Sequence, residues 1–226
     1  LQLQQGEKIL DIGCGDGTHI RDVSSYVKDE NCCFALDYDK DMIARSINLS
    51  KDNSPRIKFF VMSMDDVTQT DVFSKNSFDL IYSVYAFYYT KNEVKLLNNL
   101  KKLLKSDGRI SIIGPYSDNN KNWWDFLEQF MTVPDSLRKF ANTEFMQGVE
   151  EYAKINFQDV KFDEFVNEIT FPSIDVFRQY WKSNIYYDSK YDSDFELYAK
   201  KHFETHNNFQ YSKKAEIITM QSPIIL

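Results

Sequence analysis

Short apolar runs alternate with stretches in which hydrophobic residues recur every three or four positions, and the alternation persists through the first half of the chain. Lys8–Ile12 (KILDI) reads as a buried strand, and Ile20, Val23 and Val27 mark the inward face of the helix after it. The unit then repeats. Cys32–Leu36 reads as a second strand, followed by a helix over Lys40–Ser50 that Asp39 can cap. Ile57–Met62 and Phe78–Val84 read as the third and fourth strands. Thr90 and Glu93 form a capping box for a helix carrying Val94, Leu97, Leu100 and Leu104; Gly108 closes it, and Arg109–Gly114 is the fifth strand. Strands alternating with helices at ~20–30 residue spacing predict an α/β fold with a doubly wound parallel sheet.

The second half has a different texture. Residues 116–142 are aromatic-rich, with helical spacing up to Phe130 and a break at Pro134. A helix over 143–155 and a strand over 160–171, ended by Pro172, come next. Residues 173–206 read as two helices, the first with Phe177, Tyr180 and Trp181, the second with Phe195, Tyr198, Ala199 and His202, and the last strand covers 214–220. The expected organisation is a single domain. Residues 1–115 form the ligand-binding core, 116–142 and 173–206 are helical cap insertions, and 143–172 with 207–226 complete the sheet.

Three of the seven glycines, Gly13, Gly15 and Gly17, fall at the turn from the first strand into the first helix. A reversal there needs positive φ, and a bare backbone lets a ligand approach the exposed N–H groups at the helix start. A dinucleotide fold would show GxGxxG, but Thr18 occupies the third glycine's place and the pattern is GxGxG. Asp37 ends the second strand 20 residues beyond Gly17, where a carboxylate can accept both hydrogen bonds of a ribose diol. Ser63, Met64 and Asp65 follow the third strand and can meet an adenine edge.

In the run ILDIGCGDG, in Asp37, in FDLIYSVYAFYY (Phe78–Tyr89) and in LLKSDGRISII (Leu103–Ile113), the chain resembles the class I S-adenosylmethionine-dependent methyltransferases of the small-molecule type. The resemblance implies a Rossmann-like, mostly parallel seven-stranded sheet with its last strand antiparallel. It implies S-adenosyl-L-methionine as cofactor and S-adenosyl-L-homocysteine as product. Gly13, Cys14, Gly15 and Gly17 would pass over the cofactor's methionine part, with Asp11 as the acid before the loop. Asp37 would hold the ribose, Tyr38 and Met42 would lie near the adenine, and Ser83, Val84 and Tyr85 would face the methionine end. Ser63 stands where the family commonly has an adenine-contacting Asp, so Asp65 takes that role or the contact is lost. Tyr88 and Tyr89 stand where the family often has histidines.

Methyl transfer from a sulfonium is an in-line displacement, in which alignment alone can supply ~7–11 kcal/mol and a general base perhaps ~10²–10⁴-fold. His19, in the first turn after the glycines, and Tyr88 are the catalytic candidates; His202 and His206, the other two histidines, fit a solvent-facing helix. Trp123, Trp124, Tyr180 and Trp181, with Tyr88, are expected to line an acceptor pocket. The net charge of −7 argues against broad binding to nucleic-acid phosphates or anionic lipid, though a local basic patch stays open. The segment after the fourth strand also lacks a Pro-Pro-Tyr-like element for a flipped base. No apolar run approaches the ~20 residues of a membrane span. The expected partner is therefore a small-molecule methyl acceptor, with no nucleic acid and no membrane. Three cysteines without CxxC spacing fit neither a disulfide framework nor a zinc site, so no metal and a reducing, cytoplasmic compartment are expected. The alternatives are a non-catalytic cofactor-binding regulator, a protein methyltransferase, and a nicotinamide-dependent reductase using Tyr186 and Lys190. Residue 1 is Leu, so the natural chain is expected to start further upstream.

Overall fold

The computed structural model describes residues 1–28, 32–51, 57–69, 71–133 and 144–224. The break expected at Pro134 and the helix start expected at Thr143 lie outside the described residues. In chain order the elements are β1 (Ile9–Ile12), α1 (Thr18–Val27), β2 (Cys33–Asp37), α2 (Lys40–Ser50), β3 (Ile57–Val61), β4 (Phe78–Val84), α3 (Glu93–Leu103) and β5 (Leu104–Pro115). They continue with α4 (Lys121–Leu127), α5 (Glu144–Asn156), β6 (Phe157–Phe171), α6 (Ile174–Ser183), α7 (Asp192–Phe203) and β7 (Phe209–Pro223). Short 3₁₀ turns cover Met64–Asp66, Phe87–Tyr89 and Ser189–Tyr191.

The seven strands form one sheet in the order β3-β2-β1-β4-β5-β7-β6. The pairs β1–β2, β2–β3, β1–β4 and β4–β5 are parallel. β7 runs against both its neighbours. Tyr116 N donates to Lys214 O while Ser111 Oγ meets Thr219 Oγ1, and Gln210 meets Thr170 while Ile224 N donates to Asn156 O. The sheet is thus the mostly parallel, Rossmann-like one expected, with its last strand antiparallel. β1 sits between β2 and β4, so the crossovers diverge there, and the carboxyl ends of these strands flank a crevice of the kind such sheets use for ligands.

The chain forms two compact units, Leu1–Gly114 with Thr143–Asp163 and Glu216–Leu226, and Pro115–Asn142 with Glu164–Ala215. The division falls inside β6 and β7, so the second half of β6 and the first half of β7 group with the helical segments. Each unit has its own core. In the first, alternation along β1 sends Leu10 and Ile12 to one apolar cluster, with Ile81, Leu97 and Ile110. Ile9 goes to the other, with Ile20, Val23, Ile43 and Tyr82. The second unit is an aromatic cluster of Trp123, Phe126, Phe171, Phe177, Trp181, Phe195, Phe209 and Tyr211.

Two local expectations are corrected. Asn92, not Thr90, caps α3: its side chain accepts from Lys95 N, while the Thr90 hydroxyl is turned to Asp65. Gly108 lies within β5 rather than closing the helix, which ends at Leu103. The β4–β5 register slips between the Phe78–Leu104 and Leu80–Arg109 pairs, and a Cβ on Gly108 would come within 2.9 Å of the Phe78 carbonyl oxygen.

Candidate cofactor and active site

The glycine turn is built by close approach. Gly13 has φ +76, and a Cβ there would lie 2.4 Å from the Ala86 Cβ, so only glycine fits between β1 and the end of β4. Gly13 N and Cys14 N both donate to Leu36 O, at 2.8 and 3.0 Å, which lays the turn across the end of β2. Gly15, φ +55, has open space where a Cβ would stand, and its carbonyl accepts from Ser46 Oγ at 2.9 Å. The Asp37 carboxylate ties the two βα turns together. One oxygen accepts from Gly15 N at 2.8 Å and the other from Asp39 N at 2.9 Å.

A cavity of about 690 Å³ opens at this end of the sheet. Of the residues expected to hold the cofactor, Asp11, Gly13, Cys14, Gly15, Asp37, Tyr38, Ser63, Met64, Asp65, Val84 and Tyr85 line it, and so does His19. The others do not. Gly17 is buried behind the turn as the left-handed N-cap of α1. Met42 is partly exposed on α2, and Ser83 is buried with its hydroxyl donating to Ile12 O at 2.8 Å. Tyr88 turns away from the cavity to pack edge-on against Phe145, 5.5 Å between ring centres. The 3₁₀ turn over Phe87–Tyr89 presents Tyr89 to the cavity instead, followed by Lys91. Asp16, Thr18, Leu36, Met62 and Ala86 complete the lining. Tyr89 and Lys91 escaped the sequence reading because strand alternation stops at Val84. Beyond it Tyr85 has φ +51, a strained conformation for an aromatic residue, and the turn resets which side chains face inward.

Of the aromatics expected to line an acceptor pocket, Trp123 and Trp181 are buried instead. Trp123 and Trp181 are 2 % and 1 % exposed, and they pack among Phe177, Phe195, Phe209 and Tyr211. The Tyr180 hydroxyl meets that of Tyr211 at 2.7 Å, and Trp124 lies 5.0 Å from Tyr186. Trp123 and Trp181 are core of the second unit and Trp124 and Tyr180 pack against it partly buried, because large aromatic surfaces gain most by packing on one another. His202 and His206, also in that unit, stack at 4.4 Å, and the His202 ring bonds the Asn208 carbonyl.

Charge in the site is concentrated on acids. Asp11 is 2 % exposed, and burial pushes its pKa up to about 7; the Tyr82 hydroxyl, donating at 2.9 Å, opposes the rise and the Asp37 charge adds to it. Burial, reinforced by the fields of Asp11 and Asp37, raises the Cys14 thiol far above its usual range and makes it inert as a nucleophile. Burial also raises Tyr85 and Tyr89, the latter helped by Tyr38 and Asp37, so both phenols keep their protons at neutral pH and act as donors.

A glycine turn out of the first strand, with an acid at the end of the second, is the device by which Rossmann-like enzymes hold a nucleoside-bearing cofactor. A family model described as a methyltransferase domain matches residues 3–187, and the chain belongs to that family. It is 29 % identical over 110 residues to aklanonic acid methyltransferase DauC of a Streptomyces species, covering 49 % of each chain. The crystal structure of the YcgJ protein of Bacillus subtilis superimposes with a TM-score of 0.61 at 15 % identity, over 99 % of this chain and 95 % of that one. Phosphoethanolamine N-methyltransferase 2 of Haemonchus contortus, solved with phosphomonomethylethanolamine and S-adenosylhomocysteine, gives 0.60 at 18 % identity, over 98 % of this chain and 50 % of that one. These likenesses show the shared fold. The chain spans about half the length of the curated relatives it matches, 39 to 59 %.

Proposed function

We propose that this methyltransferase uses S-adenosylmethionine to methylate an oxygen or nitrogen of a small-molecule acceptor and releases S-adenosylhomocysteine. The observation that carries the reading is the cavity of about 690 Å³, whose lining includes Asp37, the bare face of Gly15, Tyr85, Tyr89 and Lys91. Its size lies within the ~300–1,000 Å³ of small-ligand sites. Asp37 keeps lone pairs beyond those used by Gly15 and Asp39 and can accept a ribose diol. The cofactor supplies a sulfonium-activated methyl group. The chain's own contribution is alignment and exclusion of water by the Tyr85–Tyr89 wall, with Asp11 placing a carboxylate beside a cationic ligand. His19 is the one imidazole on the described lining, and it takes the proton where the acceptor is a hydroxyl.

Two named likenesses favour a small acceptor, an aklanonic acid methyltransferase and a phosphoethanolamine N-methyltransferase. The net charge of −7 disfavours nucleic acid, and no helix among the described residues is long and apolar enough to cross a membrane. All three cysteines are thiols, which fits work in a reducing cytoplasm. Titration calorimetry with S-adenosylmethionine, S-adenosylhomocysteine and NADH is the direct check. Micromolar binding of the first two and none of NADH is expected, followed by methyl release with small phenols, acids or amines. Binding without turnover on any acceptor would instead mark a regulatory cofactor-binding module.

A further inference from the structure

Asp65 stands directly after β3, where an adenine contact is expected, yet its carboxylate is aimed elsewhere. One oxygen accepts from the Thr90 hydroxyl at 2.5 Å and the other from Lys91 N at 3.3 Å. Ser63 Oγ accepts from Asp65 N at 3.3 Å and so fixes the start of the 3₁₀ turn that presents this carboxylate. The chain of bonds continues on the far side. Thr90 Oγ1 accepts from Asn92 N, and Asn92 caps α3 through Lys95 N. Thr90 itself lies between Tyr89 and Lys91, both on the cavity lining. The other end of this segment is held by the sheet: Tyr85 N donates to Ile113 O at 2.9 Å, and Ala86 abuts Gly13.

The 85–91 wall is thus pinned at one end by β5 and the glycine turn, and at the other by one partly buried carboxylate. Tyr85 is strained at φ +51, and such a conformation persists only where its surroundings over-determine it.

We infer that Asp65 is a positioning residue, a strut that holds Tyr89 and Lys91 at the cavity, and that it does not read the nucleobase. This rests on the S-adenosylmethionine reading. The two are separated by titrating S-adenosylhomocysteine and S-inosylhomocysteine, in which a 6-oxo group replaces the 6-amino group. The proteins are the wild type, Asp65→Ala, Asp65→Asn, Thr90→Val and the Asp65→Ala/Thr90→Val double variant. A carboxylate that accepts from the 6-amino group would set the preference for the first ligand; a strut would weaken both alike.

Asp65→Ala is expected to bind both ligands about tenfold more weakly, the loss of a charge-assisted bond, with the ratio between them unchanged. Thr90→Val should match it, and the double variant should be no worse than either single one within about twofold, since all three break one link. Asp65→Asn, whose amide oxygen still accepts from Thr90, should recover most of the affinity. Collapse of the preference in Asp65→Ala or Asp65→Asn would overturn the inference, as would losses that multiply in the double variant. If Asp65→Ala does not fold, Thr90→Val and Asp65→Asn still decide. Failure of the wild type to bind either ligand would overturn the cofactor reading itself, and this inference with it.

Discussion

The two units spend their aromatic residues differently. In the first, the aromatic side chains around the cavity stay on its rim: Tyr38, Tyr85 and Tyr89 are 71 %, 42 % and 54 % exposed. In the second, Trp123, Phe177, Trp181 and Phe195 are at most 2 % exposed, and Trp181 Nε1 donates to Asp192 within the unit, whereas Trp123 Nε1 is buried without a hydrogen-bond partner among the described residues. Richness in aromatics therefore does not mark a binding surface. A backbone with no room for a side chain at Gly13, a left-handed turn at Gly15, and a carboxylate that ties two turns together mark one far better.

The largest effect expected from this contrast is on stability. Phe177→Ala should destabilise the protein by ~3–5 kcal/mol, because the ring is fully buried and stacks on Phe209 at 4.4 Å between centres. Its effect on S-adenosylhomocysteine affinity, measured at a temperature where the variant is folded, should be nil. A loss of affinity as large as the loss of stability would break the contrast.

The same contrast explains what was legible in the sequence. The parallel core was, because its strands are short continuous apolar runs and its helices carry a clear 3.6-residue face. Gly13, Gly15 and Asp37 were, because a positive φ beside a close backbone and an acid at a strand end leave few residue types to choose from. The acceptor side was not. Trp123 and Trp181 were conspicuous by size alone, and size does not tell a ring in a core from one in a pocket. Tyr88 and Tyr89 are adjacent, and only the left-handed Tyr85 and the 3₁₀ turn after it decide that Tyr89 faces inward. The place of Asp65 after β3 left its adenine contact open, and its bond to Thr90, between residues 25 apart in the chain, is not legible in the sequence.

A second prediction concerns the buried acid. The Asp11 carboxyl rises on folding from its ordinary 3.8 to about 7, through burial, with Tyr82 opposing and Asp37 adding, and Cys14 alongside. A carboxyl that holds its proton more tightly when folded stabilises below about pH 4, and that stability is lost as the pH rises through about 7. Asp11→Asn should therefore be more stable than the wild type at pH 8, by up to ~4 kcal/mol, and indistinguishable below about pH 4. Thermal unfolding of both across this range checks it; a constant offset between the two curves would assign the effect to packing. A cationic ligand favours the charged form, so S-adenosylmethionine should gain on S-adenosylhomocysteine, which lacks the sulfonium charge, as the pH crosses 7.

The smallest effect, and the most diagnostic of the first unit, is expected at Asp37. Its carboxylate has two duties, pinning Gly15 and Asp39 and offering acceptors to a ribose, and Asp37→Ala removes both. The duties separate on the ligand side. If the diol contact matters, Asp37→Ala should weaken S-adenosylhomocysteine at least about tenfold, yet weaken its 2′-deoxy analogue by less, since the analogue has one fewer hydroxyl to lose. If only the pinning matters, both ligands should weaken in the same ratio, because a loosened glycine turn is blind to the sugar. Equal ratios would leave the Gly15 bond as the whole role of Asp37, and the sugar's partner would then have to be sought among the other groups on the lining.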